Sequence, residues 1–378
     1  MPQPLRVLVV DDSALMRKTI RRILTDAGGF EVSTARNGVH ALEELERETP
    51  DVVTLDVNMP EMDGLSCLSE IMKRRPLPVV MVSSLTEQGA LVTLEALALG
   101  AVDFVAKPGG TVSLNLDTVA GDLIGKVRRA ALARVRPGRP LSGGAARQPT
   151  TGPARTPAPG RPEPVGTGRA VPPAGTARAP VRTLPRASLV DVVLVGASTG
   201  GPPLLSELIG HLPAGFPAPM VIAQHMPASF TGALARRLNN VAAVNVVEVT
   251  APVKLEPGTV YIGRGDADVV IGGSGRELMA RSVPSSSTYR WHPSVDRLVS
   301  TARAATLSSR LVGVLLTGMG DDGAEQMTAL QHDGGRTIAE AEETAVVWGM
   351  PGELTRRGGA TVVLPGDQVA SQLLTWVR

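Results

Sequence analysis

The chain contains a single cysteine, and only 2% of its residues are aromatic. One thiol, Cys67, cannot close an internal disulfide and has no second thiolate with which to hold a metal, so it reads as a small buried residue without chemistry. The scarcity of Phe, Tyr and Trp argues against a platform on which the bases of single-stranded nucleic acid could stack. Long apolar runs are missing as well. Hydrophobic residues make up 43% of the chain, yet no stretch approaches the ~20 uninterrupted apolar residues of a membrane-spanning helix, and the N-terminus lacks a signal-peptide pattern. A cytoplasmic protein without membrane insertion is expected.

At 378 residues the chain exceeds one average domain and suffices for two hydrophobic cores. Its net charge of +2 averages over an uneven distribution. Between Arg134 and Ala187 lie ten arginines, twelve prolines and one acid, Glu163, so this stretch carries +9 and the rest of the chain −7. The pI of about 8.9 therefore describes this segment, and a nucleic-acid partner is not expected from it. With few large apolar side chains the segment cannot offset its ordering entropy by burial, and it reads as a disordered or extended tether. The expected division is a first domain over 1–133, a Pro/Arg-rich linker over 134–187 and a second domain over 188–378, in a monomer.

Residues 5–12, Leu-Arg-Val-Leu-Val-Val-Asp-Asp, form an apolar run that ends in two carboxylates, as a buried parallel strand delivering acids to its C-terminal edge would. Ser13 can cap a following helix through Met16, Ile20 and Ile23, and Gly28-Gly29 stops it. Further strands are expected at 51–56 and 78–83, with helices at 39–47 and 64–74. This alternation predicts an α/β fold with a doubly wound parallel sheet, in which ligands sit beyond the carboxyl ends of the strands. Asp11, Asp12, Asp56, Ser83 and Lys107 all fall at such ends. Three neighbouring carboxylates repel one another unless a hard cation neutralises them, and Mg²⁺, which accepts carboxylates, water and phosphoryl oxygens, fits. Lys107 and the Ser83 hydroxyl can contact an incoming phosphoryl group, with Asp56 as its nucleophile.

The second domain opens on another strand, 190–198, and Gly196-Ala-Ser198-Thr-Gly200 satisfies Gly-x-Ser-x-Gly at a strand-to-helix turn. Such a turn exposes the hydroxyl and aims backbone N–H groups at a developing oxyanion, although a glycine-rich turn of this kind can equally cradle a phosphate. Two further apolar strands favour the nucleophile. One, 219–225, ends in His225, and the other, 311–317, leads into Gly-Met-Gly-Asp321-Asp322-Gly. Serine, histidine and aspartate at three strand ends supply a nucleophile, a base and an orienting acid. Either Asp321 or Asp322 could be that acid. His40, His211, His292 and His332 are expected in ordinary surface or capping roles. The order Ser, His, Asp differs from the Ser, Asp, His of the α/β-hydrolase fold, so that fold is not implied.

Two resemblances extend this reading. Asp11-Asp12, Leu-Asp56-Val-Asn-Met-Pro-Glu-Met-Asp-Gly64, Val-Ser83-Ser and Asp-Phe-Val-Ala-Lys107-Pro108 resemble the receiver domain of two-component response regulators over residues 5–130. The resemblance implies a flavodoxin-like fold, Asp56 as phospho-acceptor, Mg²⁺ held by Asp11, Asp12, Asp56 and the carbonyl of Asn58, and Phe104 at the aromatic switch position. Gly-Ala-Ser198-Thr-Gly-Gly, Gln-His225-Met-Pro, His292-Pro-Ser-Val-Asp296 and Thr-Gly-Met-Gly-Asp-Asp322-Gly are similar to the catalytic domain of the chemotaxis protein-glutamate methylesterases over residues 189–375. That similarity implies Ser198, His225 and Asp322 as catalytic, with the backbone N–H groups of Thr199 and Met319 holding the oxyanion and no cofactor in this domain. It also implies hydrolysis of glutamate γ-methyl esters, and deamidation of specific glutamines, on methyl-accepting chemoreceptors, with phosphate supplied by a chemotaxis-type histidine kinase. The stretch Tyr289-Arg-Trp-His292 departs from the arginine- and histidine-rich form expected there. A phosphorylation-gated binding protein with a non-catalytic second domain is the alternative from another class, and a general peptidase or small-ester hydrolase is a lesser one.

Overall fold

Five parallel strands form the first sheet of the computed structural model, which describes residues 3–84, 86–107, 116–135, 190–273 and 277–377. They are β1 (Leu5–Val10), β2 (Phe30–Ala35), β3 (Val52–Asp56), β4 (Val79–Ser83) and β5 (Asp103–Ala106), in the order β2-β1-β3-β4-β5. Between and after them run α1 (Ala14–Ala27), α2 (Gly38–Arg47), α3 (Gly64–Arg74), α4 (Glu87–Leu99) and α5 (Leu116–Ala130). Ser13, Asn37, Asp63 and Thr86 cap α1 to α4 through their side chains, each accepting a backbone N–H of the first turn. Every residue of β3 and β4 is buried, as expected of central parallel strands covered on both faces. Cys67 on α3 is fully buried, and burial, with Asp63 nearby, pushes its thiol up to about 12, which leaves it unreactive.

The second sheet is seven-stranded and parallel throughout, in the order β15-β14-β13-β6-β7-β10-β8. Its members are β6 (Val192–Ala197), β7 (Met220–Gln224), β8 (Asn245–Val249), β10 (Thr259–Gly263), β13 (Leu311–Leu315), β14 (Arg336–Glu340) and β15 (Val362–Leu364). The helices are α6 (Gly201–Gly210), α7 (Ala228–Val241), α8 (Val295–Ala305), α9 (Ala324–His332), α10 (Met350–Arg356) and α11 (Val369–Trp376). The expected doubly wound α/β architecture is therefore present twice. An addition that the sequence reading did not foresee is a small antiparallel sheet of β9 (Val253–Lys254), β11 (Ala267–Gly272) and β12 (Met279–Pro284), ordered β11-β12-β9.

In both parallel sheets the winding direction reverses at the strands that matter most. The first sheet reverses between β1 and β3, the second between β6 and β13, and such reversals open a crevice at the carboxyl edge because the flanking connections leave in opposite directions. Asp11 and Asp56 lie at the first crevice; Ser198 and the loop carrying Asp322 lie at the second.

The two sheets share one continuous buried cluster that includes Leu97 and Phe104 from the first and Phe230 and Leu234 from the second. The rings of Phe104 and Phe230 lie 4.2 Å apart between centroids. The linker expected over 134–187 lies outside the described residues except for Arg134 and Val135. Arg134 already reaches the second half, donating to the Glu342 carbonyl and carboxylate, each at 3.0 Å. No helix among the described residues is long and apolar enough to cross a membrane.

Candidate active site

At the first crevice the chain brings together all three carboxylates singled out from the sequence. One oxygen each of Asp11, Asp12 and Asp56 lie within 4.8 Å of one another, with Asp11 and Asp56 buried and Asp12 exposed. Lys107, on the residue after β5, places its ammonium 2.7 Å from Asp56 Oδ2 and 3.4 Å from Asp11 Oδ2. Burial raises the pKa of both buried carboxyls, against the lowering pull of Lys107. Asn58 donates its backbone N–H to Asp56 Oδ1 at 3.4 Å. The Ser83 hydroxyl, at the end of β4, is turned to the carbonyls of Ser84 and Gly89. An oxygen-only donor set suits a hard divalent cation, and Asp11 Oδ2, buried and met only by the Lys107 ammonium at 3.4 Å, is a ligand atom that could serve one.

At the second crevice Ser198 follows β6. Its backbone is pinned on all sides: its N–H donates to the Thr317 carbonyl, and its own carbonyl accepts from Gly201 N–H and from the Gln224 side-chain amide. Gly200 makes the turn possible, since its φ of +79° disfavours any L side chain and a Cβ there would collide with Val346. His225 follows β7, with its side chain 8% exposed. Its Nε2 lies 2.8 Å from Asp322 Oδ2, while its Nδ1 is buried with no partner among the described residues. If Nε2 carries the proton donated to Asp322, the lone pair of Nδ1 is left as the basic position.

Of the two aspartates that the sequence offered, Asp322 meets the imidazole; Asp321 is exposed. Asp322 is seated at the N-terminus of α8, where it accepts from the Val295 and Asp296 backbone N–H groups and from the Ser294 hydroxyl, at 2.7, 3.0 and 3.0 Å. Burial pushes its pKa up, but the His225 hydrogen bond and charge, with the Asp296 and Val295 amides, outweigh that, and the net shift is downward. An ionised acid therefore holds the imidazole. Asp296, one residue into α8, behaves oppositely. Burial, helped by the negative charge of Asp322, pushes its carboxyl up to about 6.

Between the unfolded value of 3.8 and about 6 the folded state keeps a proton that the unfolded state has released, so this group's contribution to stability falls as pH rises through that window. Asp296→Asn retains an acceptor for the Gln326 N–H that Asp296 now binds at 3.0 Å. The variant should gain thermal stability over wild type at pH 7–8, with the gain shrinking towards pH 4–5. A melting-temperature difference independent of pH would contradict this.

Ser198, His225, Thr199 and Met319 line one cleft of about 700 Å³, and the opposite wall comes from β5 and α5: Asp103, Phe104, Lys126 and Arg129. The walls touch. The Thr199 hydroxyl donates to Asp103 Oδ2 at 2.5 Å, and the ring of Phe104, whose carbonyl accepts from Lys126 at 2.7 Å, meets that of Phe230.

Several residues of this site escaped the sequence reading. His292, expected in an ordinary surface role, lines the cleft and pairs through Nδ1 with the fully buried Asp268 at 2.9 Å. Asp268 also accepts from Arg297 and the Ser294 N–H. Trp291 stacks on His225, and Ser294 caps α8 while bonding to Asp322. The run His292-Pro-Ser-Val-Asp296 was visible as a motif, but only the fold reveals that its amides receive the acid.

Fold and pockets together define a class: a receiver-type domain joined to a parallel α/β domain that presents a serine, a histidine and an aspartate at its strand ends. Comparison with known proteins narrows the class. Residues 193–373 match the family described as CheB methylesterase, and residues 7–116 match the response regulator receiver domain. The chain is 52% identical over 374 residues to protein-glutamate methylesterase/protein-glutamine glutaminase 3 of Rhodospirillum rubrum, covering 98% of this chain and 96% of that one. It is likewise 52% identical over 379 residues to protein-glutamate methylesterase/protein-glutamine glutaminase 2 of Rhodopseudomonas palustris, covering 98% of each. The crystal structure of the Thermotoga maritima CheB methylesterase catalytic domain aligns with 50% of this chain and 99% of its own, at 36% identity and a TM-score of 0.48. The chain belongs to the CheB methylesterase family, and it is a hydrolase with a response-regulator receiver.

Proposed function

We propose that this protein hydrolyses glutamate γ-methyl esters, and deamidates specific glutamines, on methyl-accepting chemoreceptors, under the control of phosphorylation at Asp56. The observation that carries the catalytic part is the seating of Asp322: a buried carboxylate, held by three donors of α8, with its remaining contact on His225 Nε2. The proposed organisation is a receiver domain over 1–133, a linker over 134–187 and a catalytic domain over 188–378.

In the reaction Ser198 Oγ attacks the ester carbonyl carbon while His225 Nδ1 takes its proton. Ionised Asp322 stabilises the imidazolium so formed. The carbonyl oxygen becomes an oxyanion held by the Thr199 and Met319 backbone N–H groups, which begin the loops after β6 and β13. As the tetrahedral centre collapses, the imidazolium returns its proton to the departing methoxide, methanol leaves, and an acyl-serine remains. His225 then deprotonates a water, whose attack releases the glutamate carboxylate and restores Ser198. With a glutamine substrate the leaving group is ammonia. The catalytic domain needs no metal for these steps.

In the receiver, Asp11, Asp12, Asp56 and the carbonyl of Asn58 would hold Mg²⁺, which when bound offsets the charge of the phosphoryl oxygens next to three carboxylates. Asp56 accepts the phosphoryl group from a chemotaxis-type histidine kinase, Lys107 supplies a fixed positive charge, and the Ser83 hydroxyl turns from its backbone acceptors to a phosphoryl oxygen. The contacts of Asp103 and Phe104 with Thr199 and Phe230 support a docked receiver that narrows the approach to Ser198. Phosphorylation would weaken that docking.

The test is methanol release from methylated chemoreceptor cytoplasmic fragments, with and without a small-molecule phosphodonor plus Mg²⁺. Wild type should release methanol, and faster with the phosphodonor. Asp56→Asn should keep the basal rate and lose all of the increase; an increase that persists in this variant would remove Asp56 as the acceptor. No release under any condition would leave a phosphorylation-gated binding protein.

A further inference from the structure

Asp322 fixes one nitrogen of His225, Nε2, but a single contact leaves the plane of the ring undetermined. The Trp291 indole fixes that plane geometrically: it lies parallel to the imidazole, 8° between planes and 5.8 Å between centroids, within the range of an offset stack. The same indole packs onto Gly320, whose φ of +90° carries the loop just after Met319 and where an added Cβ would stand 2.7 Å from the far edge of the tryptophan. Trp291 thus touches both the base and the turn that presents one of the proposed oxyanion amides. The Tyr289–His292 stretch, which departs from the pattern expected from the resemblance, supplies this contact.

We propose that Trp291 is a positioning residue for the general base: its π face holds the His225 ring in the plane that aims Nδ1 at Ser198, and it stabilises the imidazolium that forms when the serine proton is taken. A cation over an indole face is attracted by the negative potential of the ring, and tryptophan is the best of the aromatic side chains at this. A lone aliphatic residue would fill the space without that attraction. The proposal rests on the esterase reading, because only there does the imidazolium have a role.

Other charges face the same ring and set the background against which the effect must be read. Asp322 contacts Nε2 directly. Asp321, Asp266, Arg290 and His292 line the cleft from the catalytic side, and Asp103, Asp122, Lys126 and Arg129 from the receiver side. Arg290 also sits over the Trp291 ring, 5.1 Å from its centroid, and so competes for the same π density.

The experiment compares full-length wild type, Trp291→Phe and Trp291→Leu, phosphodonor present, with methanol release from methylated receptor fragments measured across pH. Trp291→Leu should lose roughly tenfold in kcat with little change in KM, a loss in line with modest misalignment of a reacting group. Without the π face the imidazole is protonated less readily, so the acid limb of its kcat/KM profile should move to lower pH by roughly half a unit, the equivalent of a weak cation–π contact. Trp291→Phe should recover most of the rate and the position of the limb. A Trp291→Leu effect confined to KM, with the limb unmoved, would overturn the proposal and leave Trp291 as a wall of the cleft.

A second measurement does not depend on catalysis. Protonated imidazole quenches a stacked indole, so the tryptophan fluorescence of wild type should fall with acidification in a step absent from both Trp291→Phe and His225→Gln. The step missing in wild type, or surviving in His225→Gln, would overturn the contact whatever the esterase result. Absence of methanol release from wild type would overturn the esterase reading and, with it, this role for Trp291.

Discussion

Replacing Ser198 by alanine is expected to lower methanol release by roughly 10⁴-fold or more, with binding of the receptor fragment retained. Ser198 stands alone at the turn after β6, its backbone locked by Thr317, Gly201 and Gln224, so alanine fits the same geometry and removes only the nucleophile. His225→Gln should cost a similar factor, and the double variant little more, because nucleophile and base act as one unit. Asp322→Asn should be severe for another reason: an amide in that seat would put an N–H towards one of the donors that now point at it from Val295, Asp296 and Ser294. Retained hydrolysis in Ser198→Ala, measured as methanol under phosphodonor, would end the serine-esterase mechanism. Loss of receptor binding along with activity would point to misfolding instead, and an unchanged melting temperature is the control.

The second large effect is expected from the receiver side of the cleft. Asp103→Ala should raise the basal methylesterase rate of the unphosphorylated protein by roughly tenfold and shrink the factor gained from phosphodonor. Asp103 is 9% exposed, and its Oδ2 accepts the Thr199 hydroxyl across the interface while its Oδ1 accepts the Phe104 N–H. A hydrogen bond to a charged acceptor contributes about 1.5–3 kcal/mol, which corresponds to roughly 10- to 100-fold in the docking equilibrium. The lower end is the better expectation, because the tilted ring contact of Phe104 with Phe230 remains and water replaces part of the lost bond when the domains part. Thr199→Val, which removes the donor from the other wall, is the partner experiment, although it alters the residue next to the nucleophile. If Asp103→Ala leaves the basal rate unchanged while the melting temperature is also unchanged, the contact does not restrain the enzyme.

How the site became legible can be followed through particular residues. The strands β1, β3, β6, β7 and β13 are short apolar runs that end in polar groups, and a parallel sheet buried on both faces leaves no other reading of such a pattern. Asp11, Asp56, Ser198 and His225 were therefore identifiable one strand at a time. The choice of Asp322 over Asp321 came from the resemblance alone and not from the strand pattern, because adjacent residues in a loop differ only in the direction of their side chains, and that direction is set by where α8 places its first amides. His292 was misjudged for the same reason: its partner, Asp268, lies on β11, in an antiparallel sheet whose short strands gave no signal strong enough to foresee. Trp291 drew notice only as a departure from a motif.

The sequence by itself determined two parallel α/β units, an acidic pocket with a lysine, and a serine with a histidine at strand ends, because alternation of apolar runs with helical segments is a local property encoded residue by residue. Only the tertiary structure decided how Asp322 is seated against His225, what stacks upon that ring, and that Asp103 of β5 touches Thr199 after β6. Those contacts join residues as far as 97 positions apart, and no spacing along the chain reports them. They follow from how the sheets reverse their winding and pack against each other, which depends on the shape of the whole core.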